Sequence, residues 1–463
     1  RDYPLNATLW WLNWFDGRSE SALAQWRGLC QGRDVNALMT AGQLINWGMP
    51  TLAAEMLNAL DCQRTLPLYL QASLLPKAER GELVAKAIDV FPQFVRFPNT
   101  LEEVAALESI EECWFARHLL ACFYYNKRSY NKAIALWQRC VEMSPEFADG
   151  WRGLAIHAWN KQHDYELAAR YLDNAYQLAP QDARLLFERD LLDKLSGATP
   201  EKRLARLENN QEIALKRDDM TAELLNLWHL TGQADKAADI LATRKFHPWE
   251  GGEGKVTSQF ILNQLLRAWQ HLDAREPQQA SELLHAALHY PENLSEGRLP
   301  GQTDNDIWFW QAICANAQGD ETEAMRCLRL AATGDRTINI HSYYNDQPVD
   351  YLFWQGMALR LLGEQQTAQQ LFSEMKQWAQ EMAKTSIEAD FFAVSQPDLL
   401  SLYGDLQQQH KEKCLMVAML ASAGLGEVAQ YESARAELTA INPAWPKAAL
   451  FTTVMPFIFN YVH

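Results

Sequence analysis

The chain of 463 residues is 48% apolar and contains 22 glycines and 18 prolines, a balance that argues against disorder and against an all-β protein rich in turns. Its formal net charge of −16 disfavours non-specific binding to nucleic acid or to an anionic membrane. No run of about 18 apolar residues occurs, so the sequence predicts no transmembrane helix.

Eight cysteines, at positions 30, 62, 113, 122, 140, 314, 327 and 414, form no C-x-x-C pair, so zinc-ribbon and thioredoxin-like spacings are absent. They lie in apolar helical patterns, which predicts reduced core residues and therefore a cytoplasmic protein. The start, RDYPLNATLWWLNWFDG, lacks the regions of a signal peptide and an initiating methionine, so we expect a further segment upstream.

Two aromatic runs have helical spacing, WWLNWF at 10–15 and IWFW at 307–310. Such spacing is typical of a packed core. For the first run, an alternative is a face that a preceding domain covers.

Helical repeats are first visible in NALMTAGQLINWGMPTLAAEMLNAL, where Ala41, Gly48 and Ala53 take the positions of small residues. The clearest copy, ARHLLACFYYNKRSYNKAIALWQRCVEMSPEF, ends at Pro145 and resembles the tetratricopeptide pattern of two helices and a proline stop. The residues expected to fill its helix contact are Leu120, Ala121, Tyr124, Ala133, Trp137 and Cys140.

The next copy repeats the plan with Ala168, Leu172 and Ala175, and it stops at Pro180. The two prolines are 35 positions apart, against a period of about 34 for this repeat. We therefore predict one inserted residue, at the turn of residues 161–163.

Weaker copies follow around Trp228, Trp308 and Gly356, and a last one ends at Pro443. No β-alternating stretch occurs, so the sequence predicts an all-α fold, a right-handed α-solenoid of tetratricopeptide-like helix pairs. By regularity it divides into irregular N-terminal repeats (1–112), central repeats (113–243) and C-terminal repeats with four long loops (244–463).

Four connections interrupt the C-terminal repeats: the first (244–255), the second (290–306), the third (333–350) and the fourth (384–400). Each follows the second helix of one pair, so in a solenoid they are expected to share one rim. Binding candidates on this rim are Trp249, Glu250, Glu253, Lys255, Glu292, Glu296, Arg298, Tyr343 and Tyr344. Asp304, Asp306, Arg336, His341, Phe391 and Phe392 are expected beside them.

The first connection contains GGEG, but neither the spacing of a phosphate-binding loop nor a preceding strand is present. A metal site of His247 with Glu250 and Glu253 is disfavoured, since strong zinc sites use two or more His or Cys ligands. The favoured interpretation is structural: His247 and Trp249 brace the loop, and the glycines supply positive φ. These glycines are Gly251, Gly252 and Gly254. We expect no cofactor and no metal.

Paired carboxylates on an aromatic rim are also typical of a sugar site, where two carboxyl groups flank the glycosidic bond. Asp304 and Asp306 directly precede an apolar helical run, so helix capping is the better interpretation for these two.

The sequences of these connections resemble those of a known protein family. RKFHPWEGGEGK, YPENLSEGR followed by NDIWFW, and AVSQPDLL are similar to the C-terminal half of a family of large bacterial tetratricopeptide-repeat proteins of unknown function. Residues 249–254 match its first signature loop, and Glu292, Asn293, Glu296, Gly297 and Arg298 match its second. The resemblance implies a β-rich, carbohydrate-active-like N-terminal half, absent from this chain, and it supplies no catalytic residues.

We therefore expect a scaffold that binds a protein or peptide, including an upstream β-rich domain of the same polypeptide. The alternative is the helical part of a carbohydrate-active protein. No nucleophile elbow, H-E-x-x-H motif or kinase set occurs, so catalysis by this chain alone is not expected. Neither nucleic acid nor membrane is an expected partner.

Overall fold

A computed structural model describes residues 10, 12–30, 33–59, 64–91, 96–249, 251–338, 348–387 and 401–461. In these ranges the chain is helical and contains no β-strand. None of the helices in the same ranges is long and apolar enough to cross a membrane. The all-α solenoid prediction is confirmed as an array of tetratricopeptide-like helix pairs.

The chain forms two compact units, Arg1–Pro180 with Phe392–Leu402, and Gln181–Phe391 with Tyr403–His463. The three-part division by repeat regularity stays a prediction.

From Ser19 onwards, the described part of the first unit contains ten α-helices. They are α1 (Ser19–Cys30), α2 (Asp34–Asn46), α3 (Pro50–Ala59), α4 (Thr65–Ser73), α5 (Gly81–Val90), α6 (Leu101–Glu108), α7 (Trp114–Asn126), α8 (Tyr130–Met143), α9 (Ala148–His157) and α10 (Tyr165–Leu178). Four hairpins pack in series, α2 with α3, α4 with α5, α7 with α8 and α9 with α10. The core interpretation of the first aromatic run holds for Trp10, which is fully buried, whereas Leu12 and Phe15 are exposed.

The α7–α8 hairpin shows why the repeat pattern gives this packing. Ala133, Trp137 and Cys140 are fully buried on α8, as their spacing predicts. A Cβ on Gly153 of α9 would lie 2.3 Å from the Trp137 ring, so the missing side chain lets the next helix approach. Tyr124 packs only partly buried against this core, whereas the next residue of α7, Tyr125, is fully buried.

The inserted residue lies close to the predicted turn. Residues Ala158–Gln162 form a π-helical turn, and His163 follows in the left-handed conformation with φ of 54°. A π-turn is how a helix accommodates one additional residue without losing its backbone hydrogen bonds.

The second unit contains fourteen helices in its described part. They are α11 (Ala183–Leu195), α12 (Pro200–Asn209), α13 (Gln211–Ala214), α14 (Asp218–Leu230), α15 (Ala234–Thr243), α16 (Lys255–Asp273), α17 (Pro277–Ala287), α18 (Asn305–Ala317), α19 (Glu321–Ala331), α20 (Tyr351–Leu361), α21 (Gln365–Met382), α22 (Leu406–Gly424), α23 (Val428–Ile441) and α24 (Ala448–Tyr461). From α14 to α23 they pair consecutively as five hairpins.

Small residues again mark the closest contacts. The Phe372 ring of α21 lies where a Cβ on Gly356 of α20, or on Gly424 of α22, would be 2.3 Å away. One aromatic ring therefore fills the space that two glycines leave on the flanking helices.

The last helix, α24, departs from nearest-neighbour stacking. It packs against α14 and α16, far back along the chain. Its Phe457 lies 5.3 Å from Trp269 of α16 and 5.9 Å from Trp310 of α18, between ring centroids. Its Phe451 is stacked on Trp354 of α20 at 5.9 Å. The second unit is therefore closed on itself by its own C-terminal helix.

Candidate functional site

A cavity of about 530 Å³ lies inside the second unit. Its walls come from the first connection and the start of α16, the second connection, residues 348–351 and residues 446–447. Cavities of this size with a few convergent polar groups are typical of ligand sites.

The first connection is anchored by Asp218, the first residue of α14. The Arg244 guanidinium donates to Asp218 Oδ1 at 2.6 Å, and the His247 backbone N–H donates to Oδ2 at 2.9 Å. The His247 ring Nδ1 lies 3.3 Å from the same Oδ2, although 72% of its side chain is exposed. The carboxylate therefore holds the loop mainly through its backbone and the arginine.

The glycines of this loop have two different roles. Gly251 and Gly254 have φ of 76° and 75°, in the left-handed region that glycine adopts without strain. Gly252 does not, so the prediction of positive φ is wrong there. A Cβ on Gly252 would lie 2.0 Å from the Trp249 indole, so the residue is small because Trp249 packs over it.

The second connection is joined to the first by one backbone hydrogen bond and by side chains that donate to backbone carbonyl groups. The Phe246 N–H donates to Asn293 O at 2.8 Å, and Ser295 Oγ donates to Phe246 O at 2.6 Å. The Asn293 amide donates to Arg244 O at 2.7 Å and to Leu241 O at 2.8 Å. The Asn293 amide thus satisfies carbonyl groups at the end of α15, where helices leave acceptors unpaired.

Glu296 closes the beginning of α16. The Gly254 N–H donates to its two carboxylate oxygens at 3.2 and 3.3 Å, and Thr257 Oγ1 donates at 3.1 Å. A carboxylate at this position satisfies an N–H that lacks a helical partner and faces the positive end of the helix dipole. Glu296 therefore has internal partners rather than a free carboxylate.

Arg298 is also engaged internally. It donates to Leu288 O at 2.8 Å and forms an ion pair with Asp304. Asp304 stands at the N-cap of α18, but its side chain makes no capping bond, so the capping prediction is wrong for this residue. Its carboxylate is taken by Arg298 instead. Asp306, in the first turn, does accept the Ile307 N–H at 2.9 Å.

Lys447 places a buried ion pair at the wall of the cavity. Its ammonium binds Asp350, and it lies 3.7 Å from Asp306 Oδ2. Burial raises the pKa of the Asp306 carboxyl; Lys447 opposes this effect and Asp350 adds to it. Burial alone would lower the pKa of Lys447, but the two carboxylates outweigh it and raise that pKa.

Two tyrosines stand beside this pair. Gln302 Nε2 donates to the Tyr290 hydroxyl at 3.2 Å, and the Tyr351 ring lies 5.2 Å from Lys447 Nζ. Burial raises the pKa of Tyr290, and it raises that of Tyr351 further. Both hydroxyls are therefore neutral hydrogen-bonding groups at neutral pH.

The remaining predicted residues divide into two groups. Glu253, Lys255 and Glu292 are exposed, and Glu253 lines the cavity. Other predicted residues lie outside the described residues: Glu250, His341, Tyr343, Tyr344, Phe391 and Phe392. In the described ranges, no three His, Cys, Asp or Glu side chains converge as a metal site.

The sequence did not point to Asp350, Tyr351 or Lys447. Lys447 comes 192 positions after Lys255 (447 − 255), in the short segment before α24, and no motif marks it. Asp350 closes the third connection, and nothing in the sequence distinguishes it from the other residues of that loop.

Residues 118–183 and 265–336 match the tetratricopeptide repeat family model. The chain contains tetratricopeptide repeats. The first matched segment runs from α7 past α10 and lies in the first unit except for residues 181–183. The second runs from α16 past α19 and lies in the second unit.

Three solved structures show a distant likeness to this chain. The TPR domain of P58(IPK) is 15% identical, with 79% of this chain and 99% of that chain covered and a TM-score of 0.25. Naa15/Naa10 bound to HypK-THB is 13% identical, covering 78% and 50%, with a TM-score of 0.33. The human IFIT1 dimer with m7Gppp-AAAA is 14% identical, covering 97% and 90%, with a TM-score of 0.29. At these scores the likenesses say nothing about function.

Helix α24 covers one surface of the repeats in the second unit. Its partners α14, α16, α18 and α20 are the first helices of consecutive tetratricopeptide-like hairpins. Repeat arrays use extended surfaces of this kind to bind partners. In the second unit, this surface is already occupied by the chain itself.

Proposed function

We propose that the chain is a protein-binding scaffold whose second unit takes a segment of a partner in the cavity of about 530 Å³. The observation that carries the proposal is the way the cavity is built. Asn293 and Glu296 form hydrogen bonds that join two long connections between repeats. A turn between two helices requires neither such long connections nor hydrogen bonds between them. Such cross-links keep a binding site in shape before its ligand arrives.

The position of α24 supports the cavity as the binding surface. Because α24 packs on the first helices of four pairs, a partner cannot reach that surface without displacing a helix whose Leu450, Phe451 and Val454 are at most 1% exposed. The cavity remains open beside it. Its edge carries Leu299, which is 40% exposed, and Pro300.

The sugar-site alternative has less support. Glu296 caps α16, and Asp304 is paired with Arg298, so two of the expected carboxylates already have partners. Candidate occupants are therefore another protein, a peptide or a preceding domain of the same polypeptide. The seven cysteines in the described ranges are all buried, which supports a reducing, cytoplasmic setting.

The test uses a charge placed at the edge of the cavity. Leu299→Asp introduces a carboxylate there, and Met325→Asp, on α19 and 38% exposed, is the matched control. Proteins enriched from extracts of the native cell by the full chain are quantified for the wild type and both variants. We expect one partner to be lost with Leu299→Asp and retained with Met325→Asp. Equal retention by both variants would refute the cavity as the site, and enrichment of no protein would refute the scaffold.

A further inference from the structure

Two buried carboxylates, of which Asp350 lines the cavity, share the ammonium group of Lys447. Asp306 is fully buried and Asp350 is 6% exposed. Both face Lys447, which binds Asp350 directly and lies 3.7 Å from Asp306 Oδ2. Among the described residues, Asp306 Oδ2 has no hydrogen-bond partner.

This arrangement leaves one negative charge without full compensation. The attraction within a buried ion pair offsets the cost of desolvating its two charges when the geometry is good and the remaining hydrogen bonds are made. A second carboxylate beside the pair has no opposite charge of its own to offset its desolvation cost. Partly satisfied polar networks of this kind are costly in a protein interior. A positive charge brought beside the two carboxylates would therefore be favoured.

The cavity lies where such a charge would enter. Lys447, Asp350, Tyr290 and Tyr351 all line it. Asp306 does not itself line the cavity, but its Oδ2 lies 3.7 Å from the ammonium of Lys447, which does. Glu253, at the mouth, adds a further carboxylate.

The shape and the aromatic groups favour an organic cation over a bare ion. The Tyr351 ring already lies near one ammonium, and Tyr290 is a second aromatic residue in the same wall. The volume of about 530 Å³ accommodates a long side chain together with its flanking backbone. Pro248, Leu299 and Pro300 add apolar surface suited to that backbone.

We propose that the cavity binds an arginine or lysine side chain of a partner polypeptide, whose cationic group compensates Asp306 and Asp350. The proposal rests on the proposed scaffold function and names the chemistry of its partner. Arginine fits best, because a planar guanidinium can bind a carboxylate through two N–H groups and stack on a tyrosine ring.

The test measures binding of two capped pentapeptides to the full chain by saturation-transfer NMR and titration calorimetry. One carries a central arginine between glycines, and the other carries citrulline, which has the same shape without the charge. We expect the arginine peptide to bind about tenfold tighter or more, the effect of one charge-assisted contact. Spermidine is the third probe and represents a free polyamine.

The variants are Asp306→Asn and the control Asp239→Asn, which removes one carboxylate from an exposed position on α15. Asp306→Asn should abolish the preference for arginine, whereas Asp239→Asn should keep it. Asp306→Asn should also fold with an unfolding midpoint no lower than that of the wild type at pH 7, because it removes an uncompensated buried charge. An equally tight citrulline peptide, or an unchanged preference in Asp306→Asn, would overturn the proposal.

Spermidine binding without binding of the arginine peptide would overturn the assignment to a polypeptide. The two proposals fail separately. A partner that is lost with Leu299→Asp but is indifferent to Asp306→Asn would leave the scaffold standing and refute the cation site.

Discussion

Replacing Glu296 with alanine removes the carboxylate that joins the second connection to the beginning of α16. In the native structure this carboxylate accepts the Gly254 N–H and the Thr257 hydroxyl at 3.1–3.3 Å. After the change, Thr257 keeps the carbonyl of Gly254 as a partner, at 3.2 Å. The Gly254 N–H keeps none of these acceptors.

The expected loss follows from these contacts. Removing a side-chain cap from a helix costs about 0.5–2 kcal/mol, and removing a negative charge from a helix N-terminus costs about 0.3–1 kcal/mol. Because Gly254 is only half-buried and water can reach part of the vacated space, we expect the lower half of the summed range, about 1–2 kcal/mol. Glu296→Gln keeps an acceptor oxygen and loses the charge, so it should cost less than about 1 kcal/mol.

The assay is urea unfolding followed by far-UV circular dichroism, with hydrogen exchange of the first turn of α16 as a local readout. Glu292→Ala is the control, because Glu292 lies in the same connection and is exposed. Protection of the first-turn amides should fall in Glu296→Ala and stay unchanged in Glu292→Ala. Equal stability and equal protection in the two variants would refute the capping role.

Three further outcomes are expected. Burial lowers the pKa of His229 to about 4, so its stabilising contribution is present above about pH 6.5 and is lost as the pH falls towards 4. The difference in unfolding free energy between the wild type and His229→Gln should therefore shrink by about 2–3 kcal/mol from pH 7 to pH 4.5. A difference that stays constant over this range would contradict the prediction. Gly252→Ala should displace the neighbouring indole and red-shift its fluorescence, whereas Gly297→Ala, whose Cβ meets nothing within 4 Å, should not. Phe451→Ala should lower the free energy of unfolding in urea by about 3–5 kcal/mol, because Phe451 is fully buried. Thr452→Ala, at the exposed neighbouring position, should lower it by less than about 0.5 kcal/mol. Similar losses in the two variants would show that α24 contributes little to stability.

The fold could be predicted because the same pattern of buried residues occurs in several copies along the chain. Ala133, Trp137 and Cys140 recur at helical spacing before a proline, and the same plan returns about 34 residues later. Even the additional residue before Pro180 could be located, since a fixed period makes an insertion visible. Where one copy offered two adjacent tyrosines, the pattern could not decide which of them faces the core.

The site could be predicted in part. The unusual composition of the first two connections identified segments that line the cavity, because helix pairs seldom need long glycine-rich turns. The roles of individual residues did not follow from composition. Glu296 and Arg298 are charged loop residues in sequence, but each finds an internal partner in space.

Lys447 could not be predicted at all. Its role depends on α24 returning to pack on α14 and α16, and nearest-neighbour repeat logic contains no such long-range contact. The left-handed conformation of Lys447, with φ of 64°, turns the chain at the point where this return begins.

The return of α24 also connects the fold to the proposed binding site. By covering the first helices of four pairs, it removes the surface that a repeat array would otherwise offer, and it delivers Lys447 to the cavity wall in the same step. The ammonium of Lys447 binds Asp350 and lies 3.7 Å from Asp306, which leaves the two carboxylates short of positive charge. A partner that supplies a second cation would therefore bind next to the segment that leads into α24, and the strength of its binding would depend on how firmly α24 is docked. Variants that loosen α24, such as Phe451→Ala, should accordingly weaken binding of the arginine peptide even though Phe451 does not line the cavity.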